Sequence, residues 1–254
     1  MEKYIRYLLE CIRMQDTALL NAAFRYFFMR KLPNRDMVVH NPNMGSFFCR
    51  RGTTDFMYSF KAYEYRVKGL ISQHLPKCDA FFDIGACIGD YSIWVGRQGI
   101  PSYAFEPLQE NYLSLQQNIQ RNGLEDRVKT FPYGLGSKTE ALTFQANPTN
   151  KGYSGRYLEV EDAVAQEVAI QTLDTFFEEQ QLSYDRFYII KIDAEGMELE
   201  VLHGAVRMLQ QVKKLLLIFE AHTQSKQVLN FVSEYTDYQP IAVDALNMAV
   251  VIER

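Results

Sequence analysis

Phe81-Phe-Asp-Ile-Gly-Ala-Cys-Ile-Gly-Asp-Tyr-Ser92, followed after one amphipathic segment by Tyr103-Ala-Phe-Glu-Pro107, is the stretch that decides the fold. It reads as strand, glycine turn, helix, strand, acid. An apolar run meeting glycines at 85 and 89, with a carboxylate at Glu106, is the layout of a nucleoside-binding βαβ unit, because the chain must turn sharply over its ligand before the helix begins. Glu106 lies 21 positions after Gly85, close to the spacing of about 20 expected of a ribose-binding acid.

The turn discriminates between ligands. A dinucleotide rests its pyrophosphate on a helix N-terminus inside a GxGxxG turn, but position 87 is Cys and Asp90 opens the helix. A carboxylate there stabilises the helix and repels a pyrophosphate. S-adenosylmethionine carries no phosphate. Asp83 is placed to receive its ammonium, backbone N–H groups between Gly85 and Gly89 its carboxylate, and Glu106 its ribose hydroxyls.

Outward from this unit the chain alternates strands and helices. Helical spacing runs over residues 4–12 and 17–31, with Asp16 as N-cap, then a loop over 34–46 and a helix over 67–75. Beyond the βαβ unit, a helix is expected over 108–122, strands over 128–135 and 141–145, and a polar loop over 147–155 containing Tyr153. Phe187 to Ile192 and Leu215 to Glu220 are continuous apolar runs of the kind buried on both faces of a parallel sheet. Between them Leu199, Leu202, Val206 and Leu209 mark one helix face. Residues 241–243 and 248–252 form a closing hairpin. The expectation is an α/β doubly wound sheet, with residues 1–50 as a helical extension and 51–254 as the cofactor-binding domain.

Ligands of such sheets sit outside the carboxyl ends of the strands. That rule gathers Gly85, Glu106, Asp193, Glu195, Glu220 and His222 on one rim. Asp193 ends the fourth parallel strand, with Lys191 on the same strand face by period two. Close carboxylates split their pKa values, which suits one of Asp193 and Glu195 as a general base, with Lys191 holding Asp193 ionised and His222 nearby. Glu220 and Tyr153 are candidate acceptor contacts. The glycine-containing turn at 50–55 offers Arg51 and Asp55 to close over the cofactor. No compact metal motif accompanies these acids, and a metal-independent base is expected.

These motifs also carry a resemblance. Asp83 to Ser92, Phe-Glu-Pro107 with Asn111 and Leu115-Gln-Gln-Asn118, Thr172-Leu-Asp174, and Lys191-Ile-Asp-Ala-Glu-Gly-Met-Glu198 followed by Val201-Leu-His-Gly-Ala205 resemble the FkbM family of S-adenosylmethionine-dependent methyltransferases. The likeness spans roughly Arg51 to Glu220, and Cys87 stands where the family more often has Asn. It implies a class I, Rossmann-like methyltransferase fold: a mostly parallel seven-stranded sheet with an antiparallel last strand. It further implies O-methylation of a hydroxyl on a saccharide, glycan or natural product. By position it carries cofactor contacts to Asp83, Gly85, Ala86, Gly89, Ser92, Glu106 and Pro107.

Composition sets the remaining bounds. The 27 basic and 31 acidic residues, net −4, form no block of either sign, so a nucleic-acid partner is disfavoured. Four cysteines without CxxC spacing suggest reduced thiols. The most apolar N-terminal stretch, 18–29, contains Asn21 and Arg25 and is too short to span a bilayer. A cytoplasmic protein is expected, with the aromatic N-terminal helices as the surface for any homo-oligomer. Two other readings stand beside the methyltransferase: a dinucleotide- or nucleotide-sugar-binding oxidoreductase, and a non-catalytic cofactor-binding module of the same fold.

Overall fold

The computed structural model describes residues 2–159, 162–220 and 225–254. Two N-terminal helices, α1 (Glu2–Met14) and α2 (Thr17–Met29), precede a hairpin of β1 (Met37–Asn41) and β2 (Gly45–Cys49), then α3 (Asp55–Tyr58) and α4 (Tyr65–His74). The βαβ unit follows as β3 (Ala80–Ile84), α5 (Asp90–Gly96) and β4 (Ser102–Phe105), continued by α6 (Gln109–Arg121) and β5 (Val128–Phe131). Next come β6 (Gly134–Leu135), β7 (Glu140–Ala146), β8 (Val164–Gln171), α7 (Leu173–Glu179) and β9 (Phe187–Ile192). The chain closes with α8 (Glu198–His203), α9 (Val206–Gln211), β10 (Lys214–Glu220), α10 (Ser225–Ser233), β11 (Gln239–Ala242) and β12 (Asn247–Glu253).

Among the described residues, seven strands form the main sheet in the order β11-β12-β10-β9-β3-β4-β5. The five from β10 to β5 run parallel, and the last strand of the chain, β12, lies antiparallel between β10 and β11. This is the class I methyltransferase arrangement. Every residue of β3 is buried, as expected where helices cover both faces. Successive strand residues alternate between two cores: Phe81 and Ile189 pack on one face, Phe82 and Ile190 on the other.

The N-terminal helices belong to the first of these cores through Tyr7, Leu19 and Phe27, while Ile5, Leu9, Ile12, Phe24 and Phe28 remain exposed. Asp16 caps α2 by accepting from the Leu19 N–H at 2.9 Å. No helix among the described residues is long and apolar enough to cross a membrane.

Three local expectations give way. The segment 34–46 is not only loop: β1 and β2 pair from Met37↔Cys49 to Asn41↔Gly45. The strand expected over 128–135 breaks at Pro132, which has no N–H to donate to a ladder. Its distal part, β6, joins β8 and β7 in a separate three-stranded sheet. The single helix expected through 199–209 divides at Gly204 and Ala205. A Cβ on Gly204 would strike the Gly136 carbonyl, and Asp174 takes the Arg207 and Met208 N–H groups at 2.8 Å each, capping a fresh helix start.

Candidate active site

The ends of β3, β4 and β9 meet at one point. Gly85 adopts φ +87°, and a Cβ on it would strike the backbone carbonyl of Asp193. Only glycine tolerates both that conformation and that approach. Asp83 is buried and accepts from the Ser92 N–H at 3.0 Å and the Ser92 hydroxyl at 2.6 Å, tying the strand end to the first turn of α5.

Glu106, also buried, accepts from the Cys87 N–H and the Leu108 N–H, both at 2.9 Å. Burial pushes its carboxyl up to about 7, while these backbone donors pull it back. It lines a chamber together with Gly85, Pro107 and Asn111, whose apolar wall is Leu135, Phe144 and Met197. A carboxylate and an apolar wall in one chamber fit a nucleoside. Asp90 is buried at the start of α5, so the helix N-terminus that a pyrophosphate would need already carries an acid. The residues present therefore fit a nucleoside cofactor without phosphate, such as S-adenosylmethionine.

A second chamber adjoins the first, and Gly85, Cys87, Gly152, Asp193 and Glu195 line both. Buried Lys191 lines it, as does Asp90, beside which lies a second buried lysine, Lys68. Lys191 donates to Asp193 Oδ2 at 2.6 Å and lies 4.7 Å from the Tyr91 ring centre. Burial alone would lower Lys191, but the Asp193, Glu64 and Asp83 carboxylates outweigh it and raise the ammonium above its ordinary range. Lys68 stands 3.5 Å from Asp90. Burial, opposed chiefly by Lys68, moves Asp90 up to about 7.

Further acids gather around Asp193 in this chamber. Glu64 accepts from the Tyr91 hydroxyl at 2.7 Å. Glu64, Asp193 and Glu220 each offer an oxygen within 4.8 Å of the others. Burial, then the charges of Asp193, Glu220 and Glu198, push Glu195 up to about 9, so this carboxyl holds its proton at neutral pH. Glu195 is also held at φ +49°, a strained conformation for a residue with a side chain. Glu198 shapes the turn from below, accepting from the Ala194 and Gly196 N–H groups at 3.1 and 3.2 Å.

The loop at 147–155 roofs both chambers. Asn147 Oδ1 accepts from the Thr149 and Asn150 N–H groups, closing the turn. Thr54 and Tyr58 donate to Asn150 Oδ1, and Asn111 donates to the Lys151 carbonyl at 3.0 Å. Gly152 sits so close to Tyr58 that a Cβ would strike its hydroxyl.

Measured against the sequence, Asp83, Gly85, Glu106, Pro107, Asp193, Glu195, Lys191, Tyr153 and Glu220 line one or both chambers. Ala86, Gly89 and Ser92 stand behind them: Ala86 is buried, and a Cβ on Gly89 would press against Leu115. Arg51 and Asp55 line neither. Arg51 is exposed, its N–H on Asp36, and the buried Asp55 is taken by Arg50 at 2.6 and 3.0 Å. Arg50 in turn reaches Asn111 Oδ1 at 3.1 Å, so this ion pair braces the start of α6. His222 lies outside the described residues. Sequence reasoning passed over Tyr58, Tyr63 and Glu64, which reach the second chamber from a segment without a recognisable motif.

The model of the methyltransferase FkbM domain family matches residues 83–240. The hexuronic acid methyltransferase AglP of Haloferax volcanii is 25% identical over 173 residues, covering 67% of this chain and 68% of that protein. Among solved structures, methyltransferase FkbM from Methylobacillus flagellatus KT is 17% identical with a TM-score of 0.48, covering 79% of this chain and 56% of that one. The chain thus spans little more than half the length of that relative. The N-terminal domain of human METTL16 in complex with SAH is 14% identical with a TM-score of 0.43, covering 92% of this chain and 80% of that one.

Proposed function

The chain belongs to the methyltransferase FkbM domain family and is an S-adenosylmethionine-dependent methyltransferase, and on that premise we propose that it O-methylates a hydroxyl of a saccharide-containing acceptor. One observation carries the proposal: Asp193 stands on the wall common to the Glu106 chamber and the tyrosine-lined chamber, where a group must stand to serve a hydroxyl facing the cofactor. Similarity to a hexuronic acid methyltransferase supports a sugar as acceptor. The acids of the second chamber oppose a polyanionic nucleic acid. Four free, buried cysteines accord with a reducing, cytoplasmic setting.

When bound, S-adenosylmethionine supplies an activated methyl group. Glu106 would hold the ribose hydroxyls, and Asp83 with the backbone around Gly85 would hold the amino acid end. Asp193 receives the proton of the acceptor hydroxyl, and the ammonium of Lys191 fixes its orientation. Protonated Glu195 donates to an acceptor oxygen. Positioning of the hydroxyl supplies much of the acceleration and the base a further share.

The test is calorimetric titration with S-adenosylhomocysteine and with NAD, followed by methyl transfer to a panel of mono- and oligosaccharides. Binding of S-adenosylhomocysteine and methylation of a sugar are expected. NAD binding alone, or methylation confined to amines, overturns the proposal.

A further inference from the structure

The acceptor chamber does not end at the reacting acids. Tyr58, Tyr63 and Asn150 also line a third chamber, of about 200 Å³, many times the roughly 10–15 Å³ that one water needs. Its far side comes from the N-terminal helices: Tyr4 from α1, Tyr26 from α2, and Arg30, whose left-handed backbone ends α2. Tyr58 and Tyr63 meet edge to face at 5.2 Å and form the ridge between the two chambers. Apart from Asn150, the lining lies before residue 83, where the family match begins.

The two chambers differ in charge. Around the reaction point stand Glu64, Asp193 and Glu220, each with an oxygen within 4.8 Å of the others, which disfavour an anion and suit an uncharged polyol. Across the ridge no acid is present among the described lining residues, and the charged side chain is Arg30. Tyrosine rings offer apolar faces to a sugar ring together with hydroxyls for its polar edge, and a guanidinium offers a forked donor to a carboxylate or phosphate.

We propose that this third chamber is a distal acceptor subsite: the acceptor is an extended saccharide whose reacting unit is uncharged and whose neighbouring unit stacks on Tyr4 and Tyr26 and presents an anionic group to Arg30. The inference rests on the saccharide reading above and deepens it.

Isothermal titration of the full chain, with and without S-adenosylhomocysteine, compares two probes: a neutral disaccharide, and the corresponding disaccharide carrying one uronate carboxylate. The uronate probe is expected to bind at least tenfold more tightly. Arg30→Gln abolishes that preference, Arg30→Lys retains part of it, and Tyr4→Ala weakens both probes. Melting temperatures of the variants control for folding. Equal affinity for the two probes, a preference that survives Arg30→Gln, or no binding of either overturns the subsite. The methyltransferase reading fails separately, by loss of S-adenosylhomocysteine binding.

Discussion

Lys191 Nζ and Asp193 Oδ2 stand 2.6 Å apart at the end of β9, the ammonium buried and the carboxylate open to the chamber. The ammonium thereby fixes the position of a carboxylate that lines both binding chambers. Asp193→Asn is expected to lower turnover roughly 10²- to 10⁴-fold, the usual worth of a positioned base. S-adenosylhomocysteine affinity should stay within a few fold, since Glu106 and Gly85 are untouched. Turnover at saturating substrate together with calorimetric affinity checks this, and unchanged turnover removes Asp193 as the base.

Glu106 satisfies two buried backbone donors, on Cys87 and Leu108, and faces the nucleoside chamber. Glu106→Ala leaves those donors without it and removes a charged acceptor worth about 1.5–3 kcal/mol. Affinity for S-adenosylhomocysteine should therefore fall roughly ten- to a hundredfold, with a lower melting temperature even in its absence. Titration and thermal unfolding measure the two effects separately.

The folded chain holds the Glu195 proton up to about 9, against an ordinary 4.5. Between those values the folded state binds more protons than the unfolded one, so this group's contribution to stability declines as pH rises and levels off above about 9. Glu195→Gln should erase the decline: its melting temperature should match wild type near pH 5 and exceed it near pH 8.5, by about 2–4 °C for each kcal/mol recovered. Thermal unfolding of both proteins across that range reads the effect, and a constant offset would contradict it.

Gly152 has no room for a Cβ beneath Tyr58. Gly152→Ala should displace the 147–155 roof, raising KM for the acceptor severalfold while leaving the melting temperature nearly unchanged, because the roof is surface loop and the core lies elsewhere. Steady-state kinetics and thermal unfolding on the same preparation test this.

How much of this was legible in the sequence depended on whether the residues lay on regular elements. Strand ends are placed by periodicity and by the rule for open sheets, so Gly85, Glu106 and Asp193 could be assigned to one rim. The closing hairpin and the roof loop with Tyr153 were readable for similar local reasons. Glu64 was not: it has left-handed backbone just before α4, a conformation its side chain does not advertise. Arg50 and Arg51 are adjacent in sequence, yet only Arg50 turns inward to Asp55, a choice made by where β2 ends at Cys49. The departure of β6 from the main sheet followed from Pro132 and from pairing with β8, more than thirty positions later. The distal chamber depends on how two N-terminal helices dock, which neither helix encodes alone.

Transfer of an isotopically labelled methyl group from S-adenosylmethionine to a saccharide acceptor, with the product's bond identified by NMR, reads out both the reaction and the role of Asp193. Label is expected on an ether oxygen of the sugar, with loss of that signal in Asp193→Asn while S-adenosylhomocysteine still binds. Label on nitrogen or carbon, or an O-methyl product undiminished in Asp193→Asn, would contradict that expectation.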